Sequence, residues 1–387
     1  MAKKKSNGFL SLADWHIGAP SEIGIGKDGI TVRDWDKLKR IKGIAGFCKQ
    51  NKIKTVVIAG DIYHYHNPKS RDRMLVAEMF GILSEHSDVL VIPGNHDYGA
   101  GGYALVEGMY DIPGVNVVLE PGIHGARCGM DFMCIPHMPE EGGFLSCFAE
   151  MTDVYSGGSL VLVGHVSAYG AISSTDFEMR GAEDIDFGAF KTNKVGIGVL
   201  GHIHRHQEMG GANYPVVYPG SLVRLNFGER KESKGWLWVR EDYSHEYYPF
   251  PDRKFAIYNV HLDEDFEFEI PDNFGRGNLN GGVVRVVVHG SRNELNQMPN
   301  EEMLGFLDLE DCQYVSIVRQ VDSDRDGRVR NKKLAKMSRG GIDMGLAVRE
   351  YAKTCASKGG NRKLIMKVGK MIVSGKDISK EIGIEEH

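Results

Sequence analysis

The sequence predicts an α/β protein with largely parallel strands, on three observations. Short apolar runs rich in β-branched residues recur through the first half of the chain. Segments of helical periodicity lie between them. The runs end abruptly in aspartate, asparagine or histidine. Strand–helix–strand alternation implies parallel pairing. Parallel strands send their C-terminal ends to one sheet edge, where open α/β sheets hold their ligands.

In chain order, "FLSLA" leads into Asp14-Trp15-His16 and "TVVIAG" into Asp61. "VLVIPG" leads into Asn95-His96-Asp97, "LVLVG" into His165, and "GIGVLG" into His202-Ile203-His204. Each run has the length and branching of a buried strand. Between the first two runs, Trp35, Leu38, Ile41, Ala45 and Cys48 recur at helical spacing. Between the second and third, Leu75, Met79, Ile82 and Leu83 share one helix face. Gly60, Gly94, Gly164 and Gly201 each precede the polar residue at a strand end, where a sharp turn or a close backbone approach is needed.

Length and composition suit one large domain with one or two smaller ones: 387 residues, 42% hydrophobic and 26% charged. A net charge of −5 neither demands nor excludes nucleic acid, because a local basic face is enough. Cys48, Cys128, Cys134, Cys147, Cys312 and Cys355 are scattered without a C-x-x-C pair. That argues against disulfides and a cysteine zinc site, and for a reducing cytoplasm. The basic start "MAKKKSNG" has no apolar stretch behind it, so it does not read as a secretion signal. No window is apolar for long enough to span a membrane.

The strand-end clusters give a ligand set of Asp14, His16, Asp61, Asn95, His165, His202 and His204. Any one of these histidines alone would read as a core group satisfied by hydrogen bonds. Together, seven imidazole, carboxylate and amide groups are too many for one four-coordinate zinc. They suit two divalent ions, roughly 3.5–4 Å apart, sharing one carboxylate. Nitrogen and oxygen donors without thiolate favour manganese, iron or zinc over copper. Two such ions lower the pKa of a water and clamp phosphoryl oxygens, so hydrolysis of a phosphate ester is the natural reaction.

"DWH", "GD", "GNHD", "GH" and "GHIH", in this order, resemble the motif series of the calcineurin-like metallophosphoesterases, over about residues 8–240. The resemblance implies a sandwich of two β-sheets flanked by helices. It implies Asp14, His16 and His204 at a first ion, Asn95, His165 and His202 at a second, and Asp61 bridging them. It makes His96 the acid that protonates the leaving oxygen and Asp97 the group that orients His96. "GDIYHYHNP" is similar to a segment of SbcD-type DNA nucleases, with His64 where contact to the scissile phosphate is expected. "YPGSLVRLNFGERKESKGWLWV" resembles the segment closing their phosphoesterase domain.

Further on, "KFAIYNVHL", "GGVVRVVVHG" and "QYVSIVRQV" read as strands of a small capping domain. The expected organisation is a nuclease domain over 1–250, a capping, DNA-positioning domain over 251–322, a linker over 323–340 and a helical docking segment over 341–387. The docking segment shows amphipathic spacing at Met344, Val348, Tyr351, Ala352 and Cys355, and at Leu364, Val368, Met371 and Ile372. The resemblance implies an SbcC-type ABC ATPase with a coiled coil as its partner, DNA as substrate, a homodimer within a heterotetramer, and manganese dependence. It places the protein in the cytoplasm, with the nucleoid or in a phage-infected host. The compact C-terminal region is similar to phage versions of these nucleases. The alternatives are a small-nucleotide phosphodiesterase and a non-catalytic scaffold for the ATPase.

Other local patterns carry less. "DSDRDG" imitates an EF-hand opening, but Lys333 stands where the bidentate glutamate is required. "GIGKDG" imitates a phosphate loop, but Ser21 and Asp28 occupy the wrong positions. It lies in "IGAPSEIGIGKDGITV", which falls outside the motif series and is expected to form a loop near the site. His66 and His206 read as exposed or supporting residues, and His124 and His137 receive no role. The cations from Arg325 to Lys336 read as a solvated linker.

Overall fold

The computed structural model describes residues 8–322, apart from 22, 25–28, 141, 174–178, 180–184, 190, 264–266, 273, 275–278, 308, 310 and 311. The expected linker over 323–340 and docking helices over 341–387 lie outside the described residues. The described residues fall into two compact units. Among these residues, one comprises 8–258, 274–286 and 309–316, and the other 259–272, 287–307 and 317–322.

The first unit is built on two six-stranded sheets. In the first sheet, β1 (Phe9–Leu12), β2 (Thr55–Ala59), β3 (Asp88–Ile92) and β4 (Val115–Val117) run parallel. Across β1 the edge is antiparallel, through β11 (Gly235–Val239) and β12 (His245–Pro249). The second sheet has a parallel centre of β6 (Asp131–Ile135), β7 (Leu160–His165), β8 (Val195–Gly201) and β10 (Val216–Tyr218). Antiparallel β5 (Gly122–Gly125) and β9 (Gln207–Met209) flank it. All five motif-bearing runs are therefore strands. They divide between two sheets: β1, β2 and β3 in one, β7 and β8 in the other.

Burial explains the unbroken apolar character of these runs. The inner faces pack on each other through Phe9, Val57, Ala59 and Ile92 against Phe132, Val161, Val163, Ile197 and Val199. The outer face of the first sheet is covered by α1 (Val32–Asn51) and α2 (Ser70–Ser84). The outer face of the second is covered in part by α3 (Gly143–Val154), through Phe144 and Phe148. Strands buried on both faces read as continuous hydrophobic runs.

The helix faces follow the predicted spacing with one correction. Leu38, Ile41, Ala45 and Cys48 of α1 are buried, joined by Ile44, but Trp35 is 38% exposed. Its turn lies where Asp34 and Lys37 occupy the inward positions instead. Thr31 caps α1 by accepting from the Asp34 amide at 3.1 Å, which fixes where the loop from the site becomes helix.

A third sheet joins β14 (Phe268–Glu269), β13 (Phe255–Leu262), β15 (Val283–Gly290) and β16 (Tyr314–Val321), in that order. The three segments read as capping strands are β13, β15 and β16, and each contributes residues to both units. In the first unit Ile23, Phe227, Phe255 and Val283 form a small core. In the second, α4 (Arg292–Gln297) and α5 (Asn300–Leu307) bury Leu295, Met303 and Leu307. Arg319 ties this pair by donating to the Leu295 carbonyl of α4 at 2.6 Å and to Asn300 Oδ1 of α5 at 2.7 Å. Among the described residues no helix is long and apolar enough to cross a membrane, and Cys48, Cys128, Cys134, Cys147 and Cys312 are free thiols.

Candidate metal centre

The turns that follow β1, β2, β3, β7 and β8 converge. Asp14 and His16 leave β1 in a turn laced to the turn after β2. The Asp14 amide donates to the Gly60 carbonyl at 3.0 Å, the His16 amide to Asp61 at 2.9 Å, and the His64 amide to Ile17 at 3.0 Å. His165 is the last residue of β7. Two glycines make the approach possible. A Cβ on Gly60 would overlap His165 Nδ1 and the Gly94 backbone, and one on Gly201 would overlap the Ala59 carbonyl oxygen.

The backbone is strained where the side chains gather. Asp14 (φ 52°), His16 (φ 47°), Asp61 (φ 53°) and His202 (φ 97°) all take left-handed or related conformations without being glycine. Such residues cost of the order of 1–3 kcal/mol each and persist where the surroundings over-determine them, often at functional sites.

Side-chain geometry forms two groups around Asp61. On one side, the Nε2 atoms of His16 and His204 face each other at 2.9 Å, with Asp14 close enough to share a ligand with both. On the other, Asn95 Oδ1 lies 3.1 Å from His165 Nε2 and 3.0 Å from His202 Nδ1. Asp61 presents Oδ2 to His16 Nε2 at 3.4 Å and Oδ1 to His165 Nε2 at 3.3 Å. All seven expected ligands are thus brought together, and one carboxylate faces a histidine on each flank.

Divalent cations fit this donor set. Asp14 Oδ1 accepts from the His202 amide at 2.9 Å, whereas Asp14 Oδ2 is buried without a hydrogen-bond partner. An acceptor in that state calls for a positive group. The histidines are set for the same purpose by their outer nitrogens. His165 Nδ1 donates to the Ala59 carbonyl at 2.8 Å, and His204 Nδ1 lies 3.0 Å from Glu229 Oε1. Each bond puts a proton on Nδ1 and turns Nε2 toward the centre.

Electrostatics follow from burial and crowding. Burial opposes the charge on Asp61, but His165 and His16 outweigh it and hold the carboxyl well below the usual range. Burial also opposes protonation of His165, yet Asp61 raises it to about 9. Burial pushes His16 well below the ordinary histidine value, and the His204 ring adds to the shift. Burial brings His202 down to about 4, with His165 contributing.

His96 and His64 sit at the mouth of this cluster. His96 Nδ1 donates to the His64 carbonyl at 2.7 Å, so its Nε2 edge is left over. Its ring lies 5.0 Å from the His16 ring and stacks with His64 at 5.5 Å and His66 at 5.9 Å. His64 is half-buried, with Nδ1 3.4 Å from His16 Nδ1, and burial, then His96, lowers its pKa to about 4.

Asp97 requires a correction. It is expected to orient the His96 ring, but that ring is held by the His64 carbonyl. The Asp97 carboxylate is fully buried and accepts from the amides of Ile62 (3.1 Å), Tyr63 (2.9 Å) and Gly94 (2.9 Å). A short side chain one residue from His96 finds these backbone donors first.

Several supporting groups carry no role in the sequence reading. Glu229, fully buried beside His204, lies in the "FGE" segment, which gives the resemblance but no function. Lys37 and Lys234 are buried behind His16 and His204. Their signal was a lysine in an otherwise inward-facing helical or strand-flanking position. The His137 ring lies 6.4 Å from the His165 ring. His206 hydrogen-bonds the Tyr218 carbonyl at 2.8 Å and stacks on Tyr247 at 3.6 Å, a supporting position. His66 is exposed and bonds the Tyr98 carbonyl at 2.7 Å.

The chain is similar to several known proteins. The SbcD component of the SbcCD nuclease of Staphylococcus saprophyticus subsp. saprophyticus is 26% identical over 257 residues, which are 59% of this chain and 64% of that protein. The chain therefore spans less than two thirds of that relative's length. Solved structures that align with it include TT1561 of Thermus thermophilus, with TM-score 0.41 and 15% identity over 63% of this chain and 99% of that one. Another is nuclease MPE of Pseudomonas putida, with TM-score 0.24 and 20% identity over 42% of this chain and 64% of that one. The calcineurin-like phosphoesterase profile matches residues 9–206, just over half of the chain and the stretch that carries every motif from Asp14 to His204, so the protein belongs to the calcineurin-like phosphoesterase family of metal-dependent hydrolases.

Proposed function

We propose that the protein is a manganese-dependent DNA nuclease of the SbcD type. It hydrolyses phosphodiesters in double-strand-break repair and recombination, with an SbcC-type ABC ATPase as partner. The observation that carries the reading is the placement of Asp61, whose two carboxylate oxygens face His16 on one flank and His165 on the other. In this reading Asp14, His16 and His204 hold one ion, Asn95, His165 and His202 hold the other, and Asp61 is shared. When bound, two divalent ions lower the pKa of a water and neutralise charge on a phosphoryl group.

The chain's own residues do the rest. With Nδ1 committed to the His64 carbonyl, His96 carries the transferable proton on Nε2 and delivers it to the departing 3′ oxygen. His64, packed against His16 and His96, contacts the scissile phosphate. Glu229 keeps His204 in the Nδ1–H tautomer. The similarity to the staphylococcal SbcCD nuclease subunit supports a nuclease, and the motif resemblance implies DNA as substrate and an ATPase as partner. The reading keeps a nuclease domain over 1–250 and a capping, DNA-positioning region over 251–322, the stretch that holds the strands of the third sheet. Homodimerisation within a heterotetramer and a cytoplasmic location complete the proposal.

Digestion of end-labelled duplex DNA with manganese tests it. Wild type is expected to shorten the label, and Asp61→Ala to reduce the rate by at least about 1,000-fold, the scale of a lost electrostatic group in catalysis. Rapid hydrolysis of a small phosphodiester with no DNA cleavage would make the protein a nucleotide phosphodiesterase instead.

A further inference from the structure

Two lysines buried out of reach of substrate stand in equivalent places behind the centre. Lys37 of α1 is 0% exposed and Lys234, just before β11, is 1% exposed. A buried ammonium is costly unless it is paired and fully hydrogen-bonded. Both meet that condition, and both use one of their bonds in the same way.

Lys37 Nζ donates to the His16 carbonyl and to Asp34 Oδ1, each at 2.8 Å. Asp34 Oδ2 in turn accepts from Thr31 Oγ1 at 2.7 Å and from the Gly18 amide at 3.4 Å. Lys234 Nζ donates to the His204 carbonyl at 2.9 Å, to Ser221 Oγ at 2.8 Å and to Glu232 Oε2 at 2.7 Å, and pairs with Glu229 Oε2 at 2.8 Å. Glu229 Oε1 holds His204 Nδ1 at 3.0 Å. Each lysine–carboxylate bracket thus grips the main chain of one histidine of a facing pair. The pair is His16 and His204, whose Nε2 atoms stand 2.9 Å apart.

The opposite group is built differently. His165 is held through its ring by the Ala59 carbonyl, and Asn95 lies between the His165 and His202 rings. Among the described residues no lysine hydrogen-bonds Asn95, His165 or His202.

We propose that Lys37 and Lys234 are positioning residues for one ion position alone, the one lined by Asp14, His16 and His204. They fix the spacing of its two imidazoles, Lys37 through the His16 carbonyl and Lys234 through the His204 carbonyl. This rests on the two-ion reading above. Losing either bracket weakens that position and leaves the Asn95–His165–His202 position loaded.

The test measures bound manganese per chain by equilibrium dialysis with elemental analysis, and the coupling of the ions by electron paramagnetic resonance. Wild type, Lys37→Met and Lys234→Met are compared. An Asp34→Asn/Lys37→Met double variant removes the bracket without leaving a buried charge unpaired. Wild type is expected to bind two ions that are magnetically coupled. Each variant is expected to lose affinity at one position by about 10–100-fold, the scale of a lost supporting group. It then shows the spectrum of an isolated ion. Adding His202→Ala to Lys37→Met removes the remaining ion, whereas adding His204→Ala does not.

Folded variants that bind both ions with wild-type affinity, or that weaken both equally, overturn the proposal. So does unfolding of all three, by circular dichroism, since the lysines then serve the fold and not the site. Wild type binding fewer than two ions fails at the earlier step and brings down the two-ion reading itself.

Discussion

At the scale of single residues, position in the hydrogen-bond network separates side chains that the sequence places side by side. Asn95, His96 and Asp97 are consecutive, yet one faces two imidazoles, one leaves an imidazole edge at the mouth, and one is buried among backbone amides. His96→Asn should therefore abolish DNA hydrolysis while metal content, measured by elemental analysis, stays near wild type. Loss of both together would make His96 a ligand. The ligand residues were legible because each follows an apolar run, five of them directly and His16 and His204 two residues later. Glu229 was not, because it reaches His204 from a short helical turn 25 residues further along the chain. The role of Asp97 was not, because which donors a carboxylate finds depends on how the turns after β2 and β3 meet.

At the scale of elements, strand ends set the site and glycines set how closely those ends approach. Gly201→Ala places a methyl into the Ala59 carbonyl. It should destabilise the fold by about 1–3 kcal/mol, as overpacking of a fitted interior does. A lowered midpoint in chemical denaturation, with unchanged slope, is the expected result; a wild-type midpoint would show that β2 and β8 can part without cost. The strands themselves were legible from burial on both faces, and so were most of the inward residues of α1 and α2. Trp35 broke the pattern because its helical turn is given over to the Asp34–Lys37 pair. The allocation of strands to two sheets was not legible from the runs. Parallel strands of either sheet look alike in sequence, and only the motif resemblance implied a sandwich.

At the scale of the whole molecule, the two sheets act as facing walls. Each contributes ligands from its C-terminal edge, so neither wall alone completes the cluster. The partner proposed for the protein belongs to a stretch outside the described residues. Deleting 341–387 should abolish co-purification with an SbcC-type ATPase and spare manganese-dependent cleavage of DNA. Undiminished co-purification would move the docking surface elsewhere. The Asp97 carboxylate has a dynamic consequence at this same scale. Three amides from two separate turns, Ile62, Tyr63 and Gly94, lean on one side chain. Their protons cannot be released to solvent independently. In deuterium oxide they should exchange at a common rate as one cooperative unit, and Asp97→Ala should speed all three together while amides in the middle of β6 keep their own pace.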